Sequence, residues 1–354
     1  MRTSLNYNGT VNGPSLLLAA ALAPLAPLGE PAPDERVERH LAAMGTWLEL
    51  VCEAEDRSTA LAASEAAARA IEAVENRLST WRDDSELARF NRHPVGESFA
   101  MSPELAADLL FARELVRETR GAFDPAIGAL VGAWGLRQGG RQPAATELEA
   151  ALAASGFAHL HFAEQRAQRL HAGVTLEEGG FGKGLALDHA VEAARATGAR
   201  AGHVDLGGQI AMLGKTETSF AIAHPEQRDA TCLSVTIDGG SLATSGNSER
   251  GIVVQGVRRS HLLDPRTGRP APDFGSVTVW SSSAARADAL STALFVMGPQ
   301  KAIAFAKQAD DCEIVCLVMQ EDQIQVHATP GLAERIQIEN PAAVLVAVGG
   351  DEDA

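Results

Sequence analysis

The sequence contains little cysteine. Four cysteines in 354 residues, Cys52, Cys232, Cys312 and Cys316, are too few for a disulfide scaffold. The spacing of Cys312 and Cys316 has no second pair that would complete a zinc site. Both lie at an apolar run, residues 314–318, that is typical of a buried strand, and free cysteine is commonly buried. We therefore predict that these thiols are structural.

Basic residues are also scarce. The chain has 30 Lys and Arg residues against 46 Asp and Glu residues, which gives a formal net charge of −16. A nucleic-acid partner requires clustered Lys and Arg, so this composition argues against nucleic acid as the main partner. An acidic protein that handles a phosphorylated ligand must neutralise it locally, with a metal ion or a few well-placed cations.

Long hydrophobic runs are missing apart from one near the amino terminus. Residues 15–27 are too short to span a bilayer but have the length of the apolar region of a signal peptide. Only Arg2 supplies charge ahead of them, and a long polar stretch at residues 6–13 intervenes, so a flexible Ala- and Pro-rich leader fits equally well. A signal would place the protein at the periplasmic face of the cell envelope, and a leader would place it in the cytoplasm.

Helical and strand patterns mix along the chain, which predicts an α+β (mixed α/β) fold. Hydrophobic residues make up 45%, enough for a sizeable core. We expect a leader at residues 1–36, one large domain at 37–329 and a tail at 330–354. Helices are predicted at 59–78, from Pro103 to Gly121, at 183–197, at 285–297 and from Pro299 onward; strands are predicted at 202–205, 233–237, 276–281 and 313–319.

A glycine-rich segment at residues 177–184 precedes one predicted helix. Glycines let the backbone approach a ligand, and a helix start presents free N–H groups with a favourable dipole. Lys183 adds a positive charge, so a diphosphate would be stabilised there. The segment is not a Walker A loop, because Glu177 stands where the first glycine belongs and Gly184 stands where Ser or Thr belongs. A plain glycine-rich turn at a helix start remains an alternative.

Asp288 and Thr292 lie four residues apart in a predicted helix and therefore share a face. A carboxylate and a hydroxyl are hard oxygen donors suited to Mg²⁺. A solvated Asp beside a Thr bonded back to its own helix is the alternative.

A histidine near a predicted Pro/Gly turn is a candidate base. His261 has a near-neutral reference pKa and could accept a proton from an attacking hydroxyl, although a surface or core histidine is the plainer interpretation. Other segments offer polar groups without being diagnostic singly: Thr244 to Asn247 as a tight turn, Asp205 at a strand end, and residues 122–125 after a helix stop.

Together and in this order, the motifs resemble the FAD:protein FMN transferase (ApbE-like) family. The resemblance covers roughly residues 44–300. Its segments are residues 44–46, 78–87, 121–125, 134–135, 179–184, 204–208, 244–246, 261–268 and 287–294.

The resemblance implies a two-lobed domain with a flavin and metal site between the lobes. It implies that FAD is the donor, that Mg²⁺ bridges its diphosphate, and that an acceptor Thr or Ser hydroxyl attacks the FMN-side phosphorus as AMP leaves. The acceptor would belong to a flavinylated electron-transfer complex, with membrane contact only through the acceptor or the leader. The residues that match family positions are Met44, Trp81, Ala122, Phe123, Asp124, Glu177, Lys183 and Leu263 for the cofactor and Gly180, Asp288 and Thr292 for the metal; His261 is the candidate general base and Asp264 its orienting partner.

The chain departs from the family pattern at several positions. Trp81 replaces a common Tyr, Glu177 replaces Asp, Gly182 replaces Ala, and Asn247-Ser248 replaces an acidic-aromatic pair. None of these changes removes the metal pair or the histidine, so we expect an active enzyme. The alternatives are a metal-dependent FAD pyrophosphatase, in which water replaces the acceptor, a non-enzymatic flavin carrier, and a purely structural α/β domain.

Overall fold

The computed structural model describes residues 35–247, 251–254, 256–321 and 323–346. The candidate signal at residues 15–27, Ser248 and the last residues of the predicted tail lie outside the described residues. Within these ranges, no helix combines the length and the apolar character needed to cross a membrane.

The described helices begin at the signals that the sequence carries. Ser102 caps the helix that Pro103 opens, because its hydroxyl accepts a hydrogen bond from the Leu105 N–H at 3.1 Å. Gly121 follows that helix with φ of 76°. In chain order the helices are α1 (Arg57–Leu78), α2 (Glu86–Arg92), α3 (Pro103–Glu118), α4 (Gly128–Ala133), α5 (Ala145–Ala153), α6 (Gly182–Ala196), α7 (Ala284–Met297), α8 (Pro299–Ala306) and α9 (Pro330–Ala333).

The strands are short and mostly antiparallel. In chain order they are β1 (Arg36–Ala43), β2 (Thr46–Glu53), β3 (Phe99–Ala100), β4 (Leu160–Ala163), β5 (Arg166–Arg169), β6 (Ala201–Leu206), β7 (Gln209–Leu213), β8 (Thr218–Ala223), β9 (Thr231–Ile237), β10 (Ser241–Gly246), β11 (Ile252–Val254), β12 (Val257–Arg259), β13 (Leu263–Asp264), β14 (Arg269–Pro270), β15 (Gly275–Ser281), β16 (Glu313–Gln320), β17 (Gln323–Ala328), β18 (Ile336–Ile338) and β19 (Ala343–Val346).

A large central sheet organises the described part of the chain. Its strand order is β1-β2-β6-β7-β10-β15-β16-β17-β19, and β17 and β19 run parallel while the other neighbours run antiparallel. Smaller sheets are formed by β18-β9-β8 and by β3-β5-β4, and β11–β12 and β13–β14 are two-stranded hairpins. The predicted mixture of helices and strands is confirmed.

Both faces of the central sheet are covered. Along β16, Ile314 and Cys316 join the core under the helices, whereas Val315 and Leu317 join the core shared with β8 and β9. A strand buried on both faces needs a continuous apolar run rather than alternation, which explains residues 314–318. A third apolar cluster, around Leu130, Trp134 and Leu263, links α4 to the β13–β14 hairpin.

The thiols are structural, as predicted. All four cysteines are free and buried. Burial raises the pKa of Cys52 to about 11 and that of Cys316 to about 12, so both are protonated at neutral pH and poorly suited to act as nucleophiles or ligands.

The predicted helices and strands are present, but two segments differ from expectation. Thr244 to Gly246, predicted as a tight turn, belongs to β10, where Thr244 and Thr278 hydroxyl oxygens lie 2.8 Å apart across β10 and β15. Ordered elements also continue past the predicted domain end at residue 329. There β18 pairs with β9 and β19 pairs with β17. The sequence did not predict these two strands, because Pro330 and Gly331 precede them and both strands are too short to show a periodic pattern.

Glu49 provides a test of stability against pH. Its carboxylate lies 3.0 Å from His203 Nε2 and 3.7 Å from His40 Nδ1, and the hydrogen bond with His203 lowers its pKa below the usual 4.5. A lowered carboxylate pKa stabilises the fold above the unfolded value, and this stabilisation is lost as pH falls through the folded pKa. We expect Glu49→Gln to cost about 1 kcal/mol at neutral pH.

The measurement is urea unfolding of both proteins from neutral pH down to acid. The difference between wild type and Glu49→Gln should shrink once pH drops below 4.5. The exposed Glu217→Gln variant is the matched control and should follow wild type throughout. A difference that stays constant with pH would contradict the assignment.

Candidate functional site

The candidate site forms where α6 crosses α7. A Cβ placed on Gly184 would lie 2.3 Å from the Ala284 carbonyl oxygen, so only glycine allows the two helices to approach this closely. The approach brings Lys183 Nζ to 3.3 Å from Asp288 Oδ1, and the Gly184 N–H donates to Asp288 Oδ2 at 3.0 Å. The two predicted charges therefore meet, although they lie more than a hundred residues apart in the chain.

Each of the two helices supplies a carboxylate to the amino terminus of the other. Asp288 of α7 accepts the Gly184 N–H of α6. Asp188 of α6 accepts the N–H groups of Ala284 and Ala285 at 2.7 and 3.0 Å. Because carboxylates already occupy both helix starts, an anion at this crossing would depend on Lys183 and on a metal ion held by Asp288. The expectation of free N–H groups at the start of α6 is met only in part, because the Gly182 N–H also bonds to the Glu178 carbonyl.

The three predicted metal ligands converge at this crossing. A Cβ on Gly180 would lie 3.3 Å from Thr292 Oγ1, so the glycine-rich loop runs directly past that hydroxyl. Asp288 is buried and Thr292 is half-buried. A carboxylate, a hydroxyl and a backbone carbonyl are hard oxygen donors, and such a set fits Mg²⁺. The serine pair Ser245–Ser291, with hydroxyl oxygens 2.8 Å apart, fixes α7 on β10 below the ligands.

A second group of polar residues surrounds Glu177. Arg137 donates to Glu177 Oε2 at 2.6 Å and to the Thr80 carbonyl at 3.0 Å. Thr80 in turn donates its hydroxyl to Glu178 Oε2 at 2.6 Å. Burial raises the pKa of Glu177, and the Arg137 guanidinium opposes that rise.

Sequence reasoning missed most of this network. Arg137 carried no motif signal, and Thr80 and Glu178 stood inside recognised segments without an assigned role. The Arg137 guanidinium also lies 4.5 Å from the ring centroid of Trp81, whose side chain is 71% exposed. An exposed tryptophan held by an arginine offers a flat face to an incoming aromatic ring.

The remaining cofactor candidates have different environments. Met44 sits at the β1–β2 turn with φ of 50°, and its Cε lies 3.7 Å from a Cβ placed on Gly182, so it covers the start of α6. Ala122 and Phe123 are buried, and Phe123 packs edge-on against Phe181 and contacts Gly180. Asp124 accepts the N–H groups of Ala126 and Phe157, and burial raises its pKa.

The predicted base lies just before the β13–β14 hairpin. His261 is half-buried, and Leu263 is buried in the cluster with Leu130 and Trp134. Both oxygens of Asp264 accept hydrogen bonds from the Arg266 guanidinium, at 2.8 and 3.0 Å, which braces the turn. Arg266 Cγ in turn lies 3.7 Å from a Cβ placed on Gly121, so this hairpin adjoins the loop that carries Phe123. The role of Asp264 in orienting His261 stays a prediction.

Comparisons with known proteins identify the family to which the chain is similar. The ApbE family model matches residues 44–316. The chain is 32% identical over 270 residues to the FAD:protein FMN transferase of Vibrio cholerae, covering 74% of this chain and 80% of that protein. It is 31% identical over 292 residues to the FAD:protein FMN transferase of Treponema pallidum, covering 76% and 79%.

Solved structures give the same result. The apo flavinyl transferase ApbE of Pseudomonas stutzeri superposes with a TM-score of 0.76 at 27% identity, over 85% of this chain and 97% of that one. The ApbE protein of Thermotoga maritima superposes with a TM-score of 0.74 at 30% identity, over 80% and 94%.

Proposed function

The chain belongs to the ApbE family, and we infer from this that it transfers FMN from FAD to a hydroxyl of an acceptor protein at the crossing of α6 and α7. The observation that supports the assignment to this place is that Lys183, Asp288, Thr292 and the Gly180 loop meet where α6 packs on α7. A diphosphate needs local positive charge, which Lys183 together with bound Mg²⁺ would supply at this crossing.

The reaction proposed for this site is a single displacement at phosphorus. The acceptor Ser or Thr oxygen forms a bond to the FMN-side phosphorus, the bond between that phosphorus and the bridging oxygen breaks, and AMP leaves. Bound Mg²⁺, held by Asp288, Thr292 and the Gly180 carbonyl, would neutralise charge on the diphosphate. Lys183 stabilises the phosphate oxygens, and His261 takes the proton of the attacking hydroxyl.

The flavin end of FAD is assigned to the Trp81 side of the site. Trp81 offers an exposed aromatic face, and Met44 covers the adjacent start of α6. The acceptor is proposed to be a subunit of an electron-transfer complex, because a covalently attached flavin serves redox chemistry.

The direct test is incubation of the protein with FAD, Mg²⁺ and a candidate acceptor subunit, followed by intact mass measurement. A gain of one FMN on the acceptor that EDTA abolishes would support the proposal. Metal-dependent release of AMP and FMN without a mass gain, in the presence of an acceptor that a relative flavinylates, would instead indicate a pyrophosphatase. Bound FAD with neither product would indicate a carrier.

Trp81→Ala should weaken FAD binding by roughly 5- to 150-fold, because stacking of an aromatic base on an aromatic side chain is worth about 1–3 kcal/mol. The exposed side chain contributes little to the core, so the free energy of unfolding should change by less than about 0.5 kcal/mol. Titration of FAD by fluorescence anisotropy measures the affinity.

Two further variants serve as controls for the effect of Trp81→Ala on FAD affinity. Trp81→Tyr keeps an aromatic face and should retain most of the affinity, whereas Leu170→Ala removes an exposed apolar side chain elsewhere and should leave FAD binding unchanged. Equal affinity of wild type and Trp81→Ala would show that the flavin or adenine ring lies elsewhere.

A further inference from the structure

The segment that carries His261 is basic in an otherwise acidic protein. Residues 250–270 contain five arginines and one carboxylate, against 30 basic and 46 acidic residues in the whole chain. We propose that the acceptor protein docks here through an acidic segment; this proposal rests on the proposed function. Asp or Glu residues that flank the target hydroxyl of the acceptor are bound by Arg259 and Arg269.

A cavity of about 300 Å³ separates these two arginines. Apolar side chains such as Trp134 and Leu148 line it together with the two arginines, a combination that suits an extended peptide whose stem is apolar and whose end is a carboxylate. The residues that line this cavity, called here the Arg259 cavity, include Trp134, Gln142, Leu148, Arg259, Arg269 and Pro270.

The charges of the two arginines are available for a partner. Nearby arginines are satisfied within the chain: Arg141 pairs with Glu147 and Arg266 pairs with Asp264. Arg259 and Arg269, by contrast, are exposed and form no ion pair within the ranges that the structure describes. A guanidinium presents a planar fork that matches a carboxylate, so each is suited to bind one acidic side chain.

The cavity adjoins the proposed base. Arg259 ends β12, and only the buried Ser260 separates it from His261. Arg269 lies opposite Asp264 in the β13–β14 hairpin, and the Ala271 N–H bonds to the Leu262 carbonyl at 2.8 Å, next to His261. A carboxylate bound in the cavity therefore holds a neighbouring hydroxyl close to the histidine, which contributes to transfer by positioning.

The test compares two labelled peptides bound to the FAD-loaded enzyme: one in which Asp residues flank a central Thr, and its twin with Asn at the same positions. We expect wild type to bind the Asp peptide more tightly, and the R259E/R269E variant to lose roughly 10- to 150-fold in affinity for it, since a hydrogen bond to a charged group is worth about 1.5–3 kcal/mol. The Asn peptide should bind both proteins alike. Arg57→Glu reverses the charge of one exposed arginine of α1, as each of the two substitutions does, and should keep the preference.

The FAD affinity and the thermal stability of the double variant show whether it is folded. If it is not folded, the single Arg259→Gln and Arg269→Gln variants replace it, and each should show an intermediate loss of affinity for the Asp peptide. Equal wild-type affinity for the two peptides, or equal loss for both in R259E/R269E, would overturn the docking surface. Absence of FMN transfer alongside an intact Asp preference would overturn the proposed function instead, so the two failures are distinguishable.

Discussion

Asp288→Asn should lower the rate of FMN transfer by roughly 100- to 1,000-fold, the usual cost of removing one group that stabilises charge in a transition state. The substitution removes the negative charge that pairs with Lys183 at 3.3 Å and that is proposed to hold Mg²⁺. The Asn oxygen can still accept the Gly184 N–H, so the start of α6 should stay capped. Single-turnover kinetics by intact mass measure the rate, and calorimetric titration of Mg²⁺ measures the loss of the metal.

Asp188→Asn is the matched control, since Asp188 caps α7 as Asp288 caps α6 but belongs to no proposed metal site. This variant should lose stability while each folded molecule keeps its transfer rate. If Asp288→Asn transferred FMN at the wild-type rate, the metal would have to be held elsewhere and the site at the helix crossing would be wrong.

Gly184→Ala should reduce the free energy of unfolding by about 2–3 kcal/mol, the usual cost of overpacking an interior. The new methyl group would lie 2.3 Å from the Ala284 carbonyl oxygen and 2.6 Å from the Ala285 Cα, and backbone atoms cannot rotate away as a side chain can. Alanine favours a helix interior over glycine by at most about 1 kcal/mol, which does not offset the clash. Urea unfolding gives the value.

Gly132→Ala, in α4, is the comparison that separates packing from helix propensity. No atom lies within 4 Å of a Cβ at this position, so the substitution should stabilise the fold slightly.

Transfer activity should also fall in Gly184→Ala, because the added methyl group pushes α6 away from α7 and thereby moves Lys183 away from Asp288. Wild-type stability in Gly184→Ala would mean that the two helices cross less tightly than the structure has them.

The candidate site residues could be brought together from the sequence more easily than the contacts that surround them. Gly180, Lys183, Asp288 and Thr292 lie in local motifs, and helical spacing already put the last two on one face, so their convergence required only that α6 meet α7. The cap signals at Ser102 and Gly121 likewise fix the ends of α3 by local chemistry.

Contacts between distant segments were invisible to such reasoning. Arg137 reaches Glu177 and Thr80 across 40 and 57 residues, and nothing in its local pattern marks it. The same holds for β10, where Thr244 to Gly246 have turn-like composition but extend because β15 pairs with them. Strands β18 and β19 are too short to show periodicity, and their partners β9 and β17 decide their structure.

The exchange of carboxylate caps between α6 and α7 has a consequence for local unfolding. The Gly184 amide cannot lose its acceptor unless α7 moves, and the Ala284 and Ala285 amides cannot lose theirs unless α6 moves. The first turns of the two helices therefore open to solvent as one cooperative unit, with a shared free energy of opening. Hydrogen exchange at these three amides should therefore report a single event, and the first turn of α6, where we propose that the diphosphate binds, should not fray alone.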